Sequence, residues 1–147
     1  MPARFDSLGI SFQYPDNWTL DDSDALLGRQ SVTVYSPGGA FWSVAIHPGS
    51  ADPAKLAAAV VDTMKQEYEG LEAGPAEETV AGHELTGYDL AFYCLDLTNT
   101  ALIRSLRIAQ FTYTIFCQAE DREFERLRGV FQAMTTSLLS GLSRVCR

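Results

Sequence analysis

The chain has 147 residues, of which 46% are hydrophobic and 20% charged, enough apolar material for a buried core and too much for a disordered segment. Nineteen acidic residues face eleven basic ones, a net charge of −8, and Lys55 and Lys65 are the only lysines. This excludes the basic footprint that a phosphate backbone or an anionic membrane surface demands, so neither nucleic acid nor membrane is an expected partner.

In chain order, Ile10, Phe12 and Tyr14 alternate with Ser11 and Gln13, which predicts a strand from Gly9 to Tyr14. Pro15-Asp16-Asn17 then makes a tight turn that delivers Trp18, and Asp21, Asp22 and Asp24 follow in an acidic loop. Ser31 to Tyr35 and Phe41 to His47 are β-rich runs around Ser36-Pro37-Gly38-Gly39, the pattern of a hairpin. That glycine-rich turn lacks the lysine and the following helix of a phosphate loop.

The firmest helix begins with Asp52 as cap and Pro53 at the first helical position. Leu56, Val60, Met64 and Tyr68 recur every four residues beside Ala57 and Val61, and Gly70 is placed to end the helix. A Gly/Pro/Glu-rich loop is expected next, then strands at about 84–97, 101–109 and 111–119. In the last of these Phe111, Tyr113, Ile115 and Cys117 share one face and Thr112 and Thr114 the other. A second helix carries Phe124, Leu127, Phe131, Met134 and Leu138, led by Glu120 or Asp121, and the last nine residues read as a short tail.

Strands, helix, strands, helix is the order of an α+β domain with a central antiparallel sheet and two amphipathic helices. One domain over 1–147 is expected, with its core at about 8–139. The opening residues Gly9, Phe12, Tyr14, Pro15 and Trp18, a glycine-aromatic strand running into a Pro-x-x-Trp corner, resemble the PsbP-like group of domains. That resemblance extends along nearly the whole chain and implies an α/β/α sandwich. Its members include photosystem extrinsic subunits, a Ran-binding nuclear transport factor, DcrB-like proteins and chaperones of secreted effectors. They share binding, mostly of proteins, rather than one chemistry. No functional residue carries over, because the export signal or lipoprotein cysteine of some members is missing and the acidic segments do not match the Ran-binding surface.

Chemistry-bearing residues are few. His47, at a strand end, and His83, in a turn after Gly82, are the two histidines. Either could act as base for a Ser, Thr or Cys nucleophile in a small hydrolase, given a carboxylate and a concave pocket. Cys94, Cys117 and Cys146 are an odd, widely spaced set, which argues against a disulfide framework and for a reducing, cytoplasmic setting. Cys94 and Cys117 read as packed thiols, Cys146 as an exposed one, and Arg104 and Arg107 lie on opposite faces by parity. No metal-ligand spacing or dinucleotide fingerprint is present, so no catalytic, cofactor or metal residue is assigned. Glu67, Glu69 and Glu72, with Glu77 and Glu78, could form an acidic patch for a basic partner or serve solubility alone. The expected function is therefore a non-catalytic, protein-binding accessory or chaperone-like module. A hydrolase using His47 or His83 and a binder of apolar small molecules are the alternatives.

Overall fold

In the computed structural model, which describes residues 2–26, 30–49 and 51–145, seven strands form one antiparallel sheet between two helices. The strands and helices in chain order are β1 (Ala3–Ser7), β2 (Ile10–Tyr14), β3 (Thr19–Asp21), α1 (Ser23–Leu26), β4 (Ser31–Tyr35) and β5 (Phe41–Pro48). They continue with α2 (Pro53–Glu67), β6 (Glu72–Val80), β7 (His83–Cys94), β8 (Leu97–Ile108), β9 (Phe111–Glu120) and α3 (Asp121–Val145). The sheet runs β3-β4-β5-β9-β8-β7-β6, with β1 and β2 as a separate hairpin. Helix α2 carries the chain from β5 to the far edge, and the meander β6 to β9 returns to pair with β5.

Both faces of the sheet are covered. On one, Trp42, Val44, Ile46, Ile115, Cys117 and Leu106 meet Phe124, Phe131, Met134 and Leu138 of α3, joined by Phe5 and Phe12 of the first hairpin. On the other, Leu90, Phe92, Ala101 and Ile103 meet Ala57, Val61 and Met64 of α2. The double cover explains why β7 and β8 are apolar on both parities. Helix α2 starts as its cap implies, for the Asp52 carboxylate accepts the Ala54 N–H at 3.0 Å. The Pro-x-x-Trp corner closes through a hydrogen bond from Trp18 N–H to the Pro15 carbonyl at 3.1 Å. It aims the buried Trp18 ring edge-on at Phe131, 6.0 Å between centroids, and so ties the first hairpin to α3.

Four local expectations are corrected. The Gly/Pro/Glu-rich segment is strand β6, not a loop. Pro75 is tolerated because an edge strand leaves one row of N–H groups unpaired, so its missing donor opens no gap in the ladder. The expected tail continues α3, because Leu139 and Leu142 extend the buried stripe beyond Leu138. Residues 3–7 form strand β1, in which only Phe5 is buried. The acidic loop is largely built in: the Asp21 carboxylate accepts the Ser23 hydroxyl at 2.6 Å and its N–H at 3.0 Å. The Ser23 hydroxyl, more than its N–H, holds the Asp21 carboxyl below its ordinary value. Asp24 accepts the Ser31 hydroxyl at 3.0 Å.

Candidate functional site

The two histidines do not come together. Register places His47 opposite Thr112 on the α2 face, whereas His83, opposite Val80, lies on the α3 face. Among the described residues His47 has no side-chain hydrogen bond to another group. His83 Nε2 stands 2.6 Å from Ser143 Oγ, a pairing with the outline of a base and a nucleophile. The hydroxyl's proton, however, is directed to the Leu139 carbonyl at 3.0 Å. Ser143 then receives its bond from His83 N–H, the reverse of the polarity that activates a nucleophile. No carboxylate orients His83 among the described residues.

The cysteines are separated too. Cys117 is buried against the α3 layer, and burial pushes its thiol up to about 12, far from a reactive thiolate. Cys94 is half-buried next to Tyr68, whose phenol is held above its ordinary value by burial first and by the neighbouring thiol second. Cys146 lies outside the described residues. The parity of Arg104 and Arg107 is as expected. Arg104 is buried on the α3 face, where its guanidinium donates to Glu78 Oε1 at 2.5 Å, Asp89 Oδ1 at 2.7 Å and the carbonyls of Tyr88 and Ile103 at 3.1 Å. Those carboxylates hold its pKa up against the opposing effect of burial. Gly87, directly opposite Arg104, has no room for a Cβ because the Ile103 carbonyl would meet it. Glu78 is thus engaged inside the fold and Glu77 faces the other way, so the expected acidic patch does not include them as a pair. Among the described residues no group of His, Cys, Asp and Glu could hold a metal ion, and no helix is long and apolar enough to cross a membrane.

A surface that no motif announced stands at the end of the longest hairpin. Strands β7 and β8 pair until Cys94 meets Leu97, leaving Leu95 and Asp96 as a two-residue turn with φ of 52° and 64°. Such a turn needs positive φ at both positions and favours Asn-Gly or Asp-Gly. The turns at Leu8-Gly9 and Ala81-Gly82 supply a glycine; this one supplies none. Its side chains are nevertheless apolar and in solvent: Leu95 is 92% exposed, Tyr93 70% and Leu97 53%. Among the described residues the other exposed large hydrophobics, Tyr35 and Phe111, are only about 40% exposed. Around the tip stand Asp96, Glu120 and Asp121, with Arg122 as the neighbouring cation, and Glu72 begins the adjoining strand. Tyr68, at the end of α2, packs its ring at a tilt against Phe92 just below, 4.6 Å between centroids. Elsewhere the abundant aromatics fill the core, as in the contacts of Phe12 with Phe5 and Trp42.

A sheet of this order between two helices, opened by a Pro-x-x-Trp corner, defines a PsbP-like α+β fold. The solved structures it superposes on bear this out. Cyanobacterial PsbP (CyanoP) from Synechocystis matches with a TM-score of 0.63 at 14% identity, over 92% of this chain and 90% of that one. The Ran-binding protein Mog1p of Saccharomyces cerevisiae matches at 0.56 and 11% identity, over 98% and 93%. LpqN of Mycobacterium tuberculosis, described as involved in cell envelope biogenesis, matches at 0.52 and 17% identity, over 91% and 86%. At these identities the likeness is one of fold. No family model matches the sequence, and no curated protein does.

Proposed function

We propose that this protein is a non-catalytic module that binds another protein through the β7–β8 tip. The observation that carries the reading is Leu95, an almost fully exposed leucine in a left-handed conformation at the end of a hairpin of two twelve-residue strands. A leucine there costs about 1 kcal/mol in backbone strain relative to glycine and buries nothing in return. With Tyr93 and Leu97 it forms an apolar projection suited to a pocket on a partner. The acidic groups beside it favour a pocket with a basic rim and disfavour a second copy of the same tip. Mog1p, a structural neighbour, is a Ran-binding protein, which is consistent with a fold used for docking on proteins. The reading also implies a reducing, cytoplasmic setting, in which Cys94 and Cys117 stay as free thiols.

The test compares wild type with Leu95→Asp/Leu97→Asp in quantitative affinity capture from the native cell extract. Proteins retained by wild type and lost by the variant, with release as salt is raised, are expected. An identical set of retained proteins from both would sink the proposal.

A further inference from the structure

The register of the sheet places two polar rows on the α2 face, beyond the apolar stripe of that helix. One row reads Glu77, Thr86, Ser105, Thr114 across β6, β7, β8 and β9; the next is formed by two pairs, Thr79 with Glu84 on β6 and β7 and Arg107 with Thr112 on β8 and β9. Between them, under Pro53 at the start of α2, lies a cavity of about 340 Å³ lined by Glu77, Glu84, Thr86, Ser105 and Arg107.

Two features set this hollow apart from an ordinary solvated face. The first is its floor. Ser105 is fully buried and Thr114 nearly so, yet among the described residues their hydroxyls bond only each other, at 3.3 Å. One bond uses one of the two protons, so the pair keeps a spare donor. Thr112, by contrast, is accounted for structurally, since its hydroxyl donates to the Ala51 carbonyl at 2.7 Å and anchors the approach to α2.

The second feature is charge held open. Pairing of β7 with β8 ends at Thr86 and Ser105, and Glu84 and Arg107 flank the hollow two residues beyond that last pair. Here no ion pair joins them, and none joins Glu77 to Arg107 among the described residues; Arg107 makes only a long bond, 3.4 Å, to the Ala109 carbonyl. The α3 face shows the contrasting outcome, where Arg104 is closed by Glu78 and Asp89.

We propose that this cavity binds a small zwitterion of amino-acid size, its ammonium between Glu77 and Glu84 and its carboxylate on Arg107. Thr86 and Ser105 form the polar floor beneath it. A molecule with both charged ends engages the carboxylates and the guanidinium at once, which neither end alone does. The site is separate from the hairpin tip and independent of the reading given to it.

The experiment is amide-resolved NMR titration of the full chain with each of the twenty L-amino acids at about 10 mM, enough to saturate a millimolar site. Methylamine and acetate, each alone, serve as one-ended probes. Saturable shifts centred on Thr86 and Ser105 are expected from at least one amino acid and from neither one-ended probe. Arg107→Gln and Glu84→Gln should each weaken binding about tenfold or more, the loss of one charge-assisted bond. Both positions are exposed, and unchanged thermal melts would show that the variants fold. The proposal is overturned if no amino acid shifts these amides, if the variants bind as wild type does, or if methylamine or acetate binds equally well.

Discussion

Replacing Leu95 with asparagine should make the protein more stable while removing the apolar projection proposed for docking. The residue sits at φ 52°, where an ordinary side chain pays about 1 kcal/mol and asparagine much less. At 92% exposure the leucine contributes almost no burial in the folded state, so little is lost by exchanging it. The net gain should be about 0.5–1 kcal/mol. For 147 residues the entropy of unfolding is about 0.3 kcal/mol/K, so the melting temperature should rise by about 2–3 °C. Urea unfolding followed by circular dichroism would give the free energy and a thermal melt the shift. Affinity capture on the same variant should show weaker retention of any partner. A loss of more than about 0.5 kcal/mol on this substitution would refute the reasoning, since it would mean that Leu95 makes contacts within the folded chain.

Arg104→Ala should cost about 2–3 kcal/mol in urea unfolding, somewhat below the usual loss for breaking a buried pair because Glu78 and Asp89 remain partly solvated. Arg104→Met should cost clearly less than Arg104→Ala, because its chain keeps the packing along β7. Gly87→Ala should destabilise by at least about 2 kcal/mol or prevent folding, as the added methyl meets the Ile103 carbonyl; soluble yield and melting temperature would report it. Cys117 should resist alkylation in the native protein under conditions that label the half-buried Cys94, as peptide mass analysis would show. The raised Cys117 thiol binds its proton more tightly folded than unfolded. Its contribution to stability is therefore present below about pH 9 and lost as pH rises toward 12, a dependence that Cys117→Ala should lack.

The sheet, both main helices and the corner were legible because their signals are local. Asp52-Pro53 marks a helix start by itself, and the parity of β9 separates its faces without reference to any other strand. What escaped depends on neighbours. Strand β6 has the composition of a loop, and β7 alone makes it a strand by offering a complete ladder from Ala91 to His83. The end of α3 carries Ser140, Gly141 and Ser143, weak helix formers that are held because Leu139 and Leu142 find the core. The tip was invisible for a similar reason. Leu95-Asp96 is not a turn signature, and the turn falls there only because β7 and β8 pair residue for residue up to it. His47 and His83 were readable as candidates, but only register shows that they belong to opposite faces. The polar cavity likewise arises from which strand lies beside which, since Glu77, Glu84 and Arg107 are scattered in sequence.

The two borders of the main sheet have one more consequence. One is β3, three residues long, and the other is β6, interrupted by Pro75 and lined with Glu72, Glu77 and Glu78. Neither offers an uninterrupted row of backbone donors and acceptors to a foreign strand. Strand addition, which reads backbone and tolerates almost any sequence, is thereby disfavoured at both borders of the main sheet. At those borders only side chains are left to meet a neighbour, and side chains select where backbone does not.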